Sequence, residues 1–64
     1  MSFMNTLSQN ERDTLRTVVR TVHMKHYPKD FINQYETDKL IDSLGPEVAE
    51  SMIRLGIDRG LRSL

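Results

Sequence analysis

The stretch Ser8–His26, SQNERDTLRTVVRTVHMKH, decides how this chain folds. Its opening, Ser8-Gln9-Asn10-Glu11, has the form of a capping box. In that motif the serine hydroxyl accepts from the Glu11 amide, and the Glu11 carboxylate reaches back to the Ser8 amide. Thr6 with Gln9 is a competing cap two residues earlier. Leu15, Val18, Val19 and Val22 then recur at i, i+3, i+4 and i+7, and Arg12, Arg16 and Arg20 at i, i+4 and i+8. At about 100° per residue the apolar set fills one narrow arc, and the arginines with His23 fill the adjoining one. The pattern predicts a helix over about 8–26. It stops there because Tyr27 precedes Pro28, and a pre-proline residue disfavours the α region. Three valines weaken helix propensity, but they sit on the packing face, where tertiary contacts dominate.

Downstream the phase changes. Pro28 is suited to restarting a helix at its first position. Phe31, Ile32 and Tyr35 form one apolar face, and Leu40, Ile41 and Leu44 another. One straight helix cannot bury both, so a break is expected near Glu36-Thr37, with Thr37 as the next N-cap. Gly45-Pro46 punctuates more strongly, because Gly ends one helix and Pro opens the next. The last helix is expected from Pro46 to about Arg59, with Val48, Ala49, Met52, Ile53, Gly56 and Ile57 on one wide apolar face. Glu50 and Arg54 form an i, i+4 pair opposite it. Ala49 and Gly56 leave a notch that another helix backbone can approach. Gly60 is a natural stop. The expected fold is all-α: a single small domain over 1–64, with two longer helices (about 8–26 and 46–59) joined by one or two short ones. Residues 1–7 and 61–64 are flexible or docking tails, and Phe3 and Met4 would anchor the first of these, on the core or on a neighbour. The predicted core comprises Val18, Val22, Leu40, Leu44, Met52 and Ile53.

Size and charge bound the function. A 64-residue chain without cysteine has a core worth only about 3–5 kcal/mol. It has no disulfide or cysteine-based zinc site to staple it. Assembly with itself or a larger partner is the remaining common remedy. Basic and acidic residues balance at nine each, whereas nucleic-acid binders usually carry a basic excess. The balance is uneven along the chain: residues 1–30 hold five basic and three acidic groups, and residues 31–64 hold four and six. Such a dipole suits head-to-tail contacts or intramolecular pairing. No apolar run approaches the roughly 20 residues of a membrane span, and Met1–Leu7 lacks the form of a signal peptide. An intracellular, soluble origin is the expectation.

No residue constellation specifies a reaction. His23 and His26, at i, i+3, have a spacing that can share a metal, with Asp30 or Glu36 as a third ligand. Nothing in the sequence fixes that geometry, and ordinary surface histidines explain the pair as well. No serine or threonine has an evident base and orienter, and the chain is expected to be too small to bury a cleft of ligand-pocket size. Leu40–Ile57 has the outline of a helix-turn-helix. Its second helix would open with Glu47 and Glu50, carboxylates facing the phosphate backbone. Arg12, Arg16, Arg20 and His23, continued by Lys25 and Lys29, form either a face that meets phosphates, a solvated face, or one paired to the acidic second half. Tyr27, Phe31 and Tyr35 stand at four-residue spacing, either packed in the core or exposed as an interface, where Tyr and Arg are enriched.

Residues His23 to Phe31 (HMKHYPKDF), Asp38 to Glu47 (DKLIDSLGPE) and Met52 to Gly56 (MIRLG) resemble small proteins, with no assigned chemistry, of tailed bacteriophages of the short-tailed, T7-like kind. The resemblance covers roughly residues 8–60 and implies a phage accessory or virion component, present as bound copies on a larger assembly. It carries over no catalytic residue.

The sequence therefore predicts a non-enzymatic interaction or structural protein, in the host cytoplasm during expression or in the virion. Arg12, Arg16, Arg20, His23, Tyr27, Phe31 and Tyr35 are expected to meet a protein partner or a second copy of the chain. The alternative is a small regulator that binds nucleic acid or a host nucleic-acid enzyme. No metal, cofactor, membrane or small-molecule substrate is expected.

Overall fold

Ser8 starts the first long helix as its motif predicts. In the computed structural model, which describes residues 3–59, the Glu11 amide donates to Ser8 Oγ at 3.2 Å and the Ser8 amide to Glu11 Oε1 at 2.9 Å. These bonds, the backbone one first, hold the Glu11 carboxyl below its ordinary pKa. Helix α1 spans Gln9–His26 and ends where the Tyr27 amide donates to the His23 carbonyl. Ahead of it lies a single 3-10 turn, Phe3–Thr6. Met4 is buried there, and Phe3 and Leu7 pack against the core, so this segment docks on its own domain.

Two further helices complete an all-helical fold over the described residues: α2, Gln34–Leu44, and α3, Pro46–Asp58. Their junction is Gly45 alone, at φ 87°, a conformation that side chains with a Cβ rarely adopt. Pro46 takes the first position of α3, where its missing amide costs nothing. The predicted Gly45-Pro46 break is therefore present.

The predicted start of α2 is not. Pro28 does not restart a helix. It sits at the second position of a β-turn closed by the Asp30 amide on the Tyr27 carbonyl at 3.0 Å, a place its fixed φ suits. Nor does the chain break at Thr37. Asn33 caps α2 through a second capping box, with the Glu36 amide on Asn33 Oδ1 at 2.8 Å and Glu36 Oε1 accepting from the Asn33 amide. Thr37 lies inside the first turn, fully buried, its hydroxyl donating to the Asn33 carbonyl.

The core contains Met4, Leu15, Val19, Ile41, Ala49 and Ile53, with Met52 packed against it and Val18 also buried. The pairing of α1 with α3 is the most extensive in the fold. Ala49 and Gly56 are both buried, as their small size allows. Three expected core residues are corrected. Val22 is 42% exposed, and Leu40 and Leu44 are exposed to a similar degree. On α2 the buried edge is Thr37–Ile41. Polar contacts to α1 turn this edge inward and leave the leucines on its shoulder. Val22 lies in the centre of the apolar arc but past the region its partners cover. At 18 residues α1 outruns α2 and α3, at 11 and 13. Val48 and Ile57, expected on the buried face of α3, are likewise exposed. Among the described residues, no helix is long and apolar enough to cross a membrane. The expected tail 61–64 lies outside the described residues.

Candidate docking surface

The arginine stripe forms as periodicity requires, but most of it turns inward. Arg16 grips Asp38 of α2 in two parallel bonds, Nε to Oδ1 at 2.8 Å and Nη2 to Oδ2 at 2.9 Å. Asp13 adds a third carboxylate oxygen at 3.6 Å. The bond to Asp38 raises the Arg16 pKa further above its already high ordinary value, so the clamp stays charged. One turn on, Arg20 Nε donates to Thr37 Oγ1 at 3.2 Å. Arg12 reaches back to the Leu7 carbonyl. These three side chains tie α1 to α2 and to its own N-terminal segment. Planar, bidentate recognition of a carboxylate is the task for which arginine is best shaped.

Beyond Arg20 the helix face opens. His23 Nε2 lies 2.8 Å from Asp30 Oδ2, and its ring packs beside Tyr27 with centroids 5.1 Å apart. With the β-turn, these contacts hold the connector 27–33 against the end of α1. The connector presents its aromatics outward: Tyr27 is 61% exposed, Phe31 77%, and Tyr35, at the start of α2, 67%. Core packing of these rings, one of the two sequence readings, is thereby corrected. A β-turn instead of a helix leaves no common face to bury. Lys39 Nζ sits over the Tyr35 ring at 5.0 Å.

Two shallow depressions meet at Ile32. One, of about 350 Å³, is lined by Arg20, Met24, Phe31 and Ile32. The other, of about 250 Å³, is lined by His23, Ile32, Glu36, Lys39, Leu40 and Ser43. Together they make an apolar groove of Met24, Phe31, Ile32 and Leu40 with a charged rim. Met24, Ile32 and Leu40 were not singled out as site residues from the sequence. Their spacing across two elements and a loop gives no periodic signal.

A larger cleft, about 620 Å³, lies between the N-terminal half of α1 and α2. Its volume is that of a ligand pocket, but the cleft is not buried. It is open to solvent, and the Arg16–Asp38 clamp contributes to its lining. Mixed charges, Arg12, Arg16 and Lys39 against Asp13, Asp38 and Asp42, share that lining. The structure thus divides the predicted site. The arginines serve the fold, whereas the aromatics and the groove face outward. Among the described residues, no group of three or more His, Asp or Glu is placed to hold a metal.

Comparison with known proteins gives no matching family model, no similar curated protein and no similar solved structure, so geometry and sequence carry the functional reading.

Proposed function

We propose that the chain is a non-enzymatic protein-interaction component that docks on a larger assembly through its connector surface. One observation carries this reading. Tyr27, Phe31 and Tyr35 are the most exposed large apolar residues of the described chain, on a segment already ordered by its own hydrogen bonds. Aromatic anchors dominate interface energetics, and a pre-ordered loop loses little entropy on binding. The resemblance to short-tailed phage proteins supports a phage accessory or virion role, in the host cytoplasm or the particle.

A second reading, a regulator that contacts nucleic acid or a nucleic-acid enzyme, draws on the cations around the connector. The groove between them favours protein: Met24, Ile32 and Leu40 offer aliphatic surface, which has nothing to give a phosphate.

The test replaces Phe31 by a photoreactive benzoyl-phenylalanine and irradiates the cell that makes the protein. Discrete protein adducts, identified by mass spectrometry, are expected. Binding to duplex or single-stranded DNA, with a log–log salt slope that falls by about one unit for each lysine removed, would favour the second reading.

A further inference from the structure

The connector turn is held by one side chain of α1. His23 Nε2 lies 2.8 Å from Asp30 Oδ2, and its ring centroid is 5.1 Å from that of Tyr27, with the planes tilted by 36°. Tyr27 and Asp30 are the two ends of the β-turn, joined by the Asp30 amide on the Tyr27 carbonyl at 3.0 Å. One imidazole thus touches both ends of the turn. Histidine is the side chain that ordinarily changes charge between about pH 5 and 8, and both contacts respond to that charge. An imidazolium makes a charge-assisted bond to a carboxylate, roughly twice as strong as a neutral one. A cation held against a tyrosine ring is attracted by its quadrupole as well. A neutral imidazole can donate from Nε2 in only one of its two tautomers, and without the charge.

We infer that His23 is a protonation latch on the connector. With the imidazole protonated, the turn 27–30 is clamped to the end of α1, and the neighbouring Tyr27 and Phe31 side chains are presented in fixed positions. As pH rises the proton leaves for solvent, the clamp weakens and the turn opens more often. The other charges around His23 come from two helices. On α1, Arg20 stands one turn before it and is directed at Thr37, and Lys25 and His26 follow in the last turn, where the helix dipole favours a cation. On α2, Glu36 and Lys39 line the same depression as His23 and oppose each other in sign. Asp30 is in direct contact with the ring nitrogen, so it sets the sign of the response. The inference rests on the docking reading for its use, as a control on the docking surface, but its own readout needs no partner.

The readout is solvent exchange of the Asp30 amide, which donates across the turn, followed by NMR at pH 5.5 and pH 7.5. Each rate is expressed as protection relative to an unstructured chain at the same pH. The parent is expected to protect this amide about threefold more at pH 5.5, the scale of an exposed charge pair. The Ile41 amide, inside α2, should not share the change. His23→Gln and Asp30→Asn should each remove most of the pH dependence, whereas His26→Gln should keep it. Helical circular dichroism like the parent's confirms that the variants fold. Equal protection of the Asp30 amide at both pH values overturns the latch. So does a change that the Ile41 amide shares in full, one that survives His23→Gln, or one that His26→Gln abolishes. The photoreactive group at position 31 separates this failure from that of the docking reading. Protein adducts alongside an unresponsive amide overturn the latch and keep the docking reading. A responsive amide without protein adducts does the reverse.

Discussion

Two stretches of α1 meet different fates. Up to Arg20, Leu15, Val18 and Val19 are buried, Arg16 is locked to Asp38 and Arg20 donates to Thr37. Beyond Arg20, Val22 and Met24 are exposed, and His23 turns to Asp30 of the connector. Periodicity tells a helix which face to turn inward, but the length of the neighbouring elements decides how much of that face is covered. The open end, with the connector folded beside it, is the surface that the proposed docking would use. The covered stretch keeps the domain folded.

Substitutions can break this contrast in order of severity. Ile53→Asp places an unpaired charge in the core, where Ile53 is 6% exposed. That costs several kcal/mol, about the whole stability of a domain this small, so the variant is expected to lack a cooperative thermal transition. Asp38→Ala leaves the Arg16 guanidinium without its two short bonds, a loss of about 1–3 kcal/mol by denaturant melt. Arg16→Lys should restore little of the clamp, because an ammonium cannot make the paired contact.

Ser8→Ala removes the α1 cap, for about 1 kcal/mol, and it alters the acid limb of the stability curve. Glu11 has a lowered carboxyl pKa in the folded chain. Its stabilisation is therefore complete above the ordinary value of 4.5 and is lost as pH falls through the folded value. Melts from pH 6 to pH 2 should show a shallower decline for Ser8→Ala than for the parent. At the bottom of the scale, Phe31→Ser should alter stability by less than about 0.5 kcal/mol while reducing partner capture.

Local signals were legible in the sequence. Ser8 with Glu11 and Gly45-Pro46 fix helix ends through neighbours three residues apart or fewer, and both stand as read. The start of α2 carried the same kind of signal, Asn33 with Glu36. A break argued from apolar phase drew attention to Thr37, whose hydroxyl serves the interior. Long-range choices were not legible. Arg16 and Asp38 lie 22 positions apart, and nothing in either segment singles out that pairing. Beside it, Thr37 and Ile41 are buried and Leu40 is left exposed. The exposure of Val22 follows from the relative lengths of three helices, which no single repeat encodes.

The most direct test compares one substitution at two valines of the same helix, Val19→Asp and Val22→Asp, by thermal melting. Val19 is 5% exposed and Val22 42%. The account predicts that Val19→Asp is unfolded at 25 °C. Val22→Asp should keep a cooperative transition within about 8 °C of the parent, the shift that about 1 kcal/mol produces in a domain of this size. Equal collapse of both variants, or equal tolerance, would contradict the division of α1 into a covered stretch up to Arg20 and an open end.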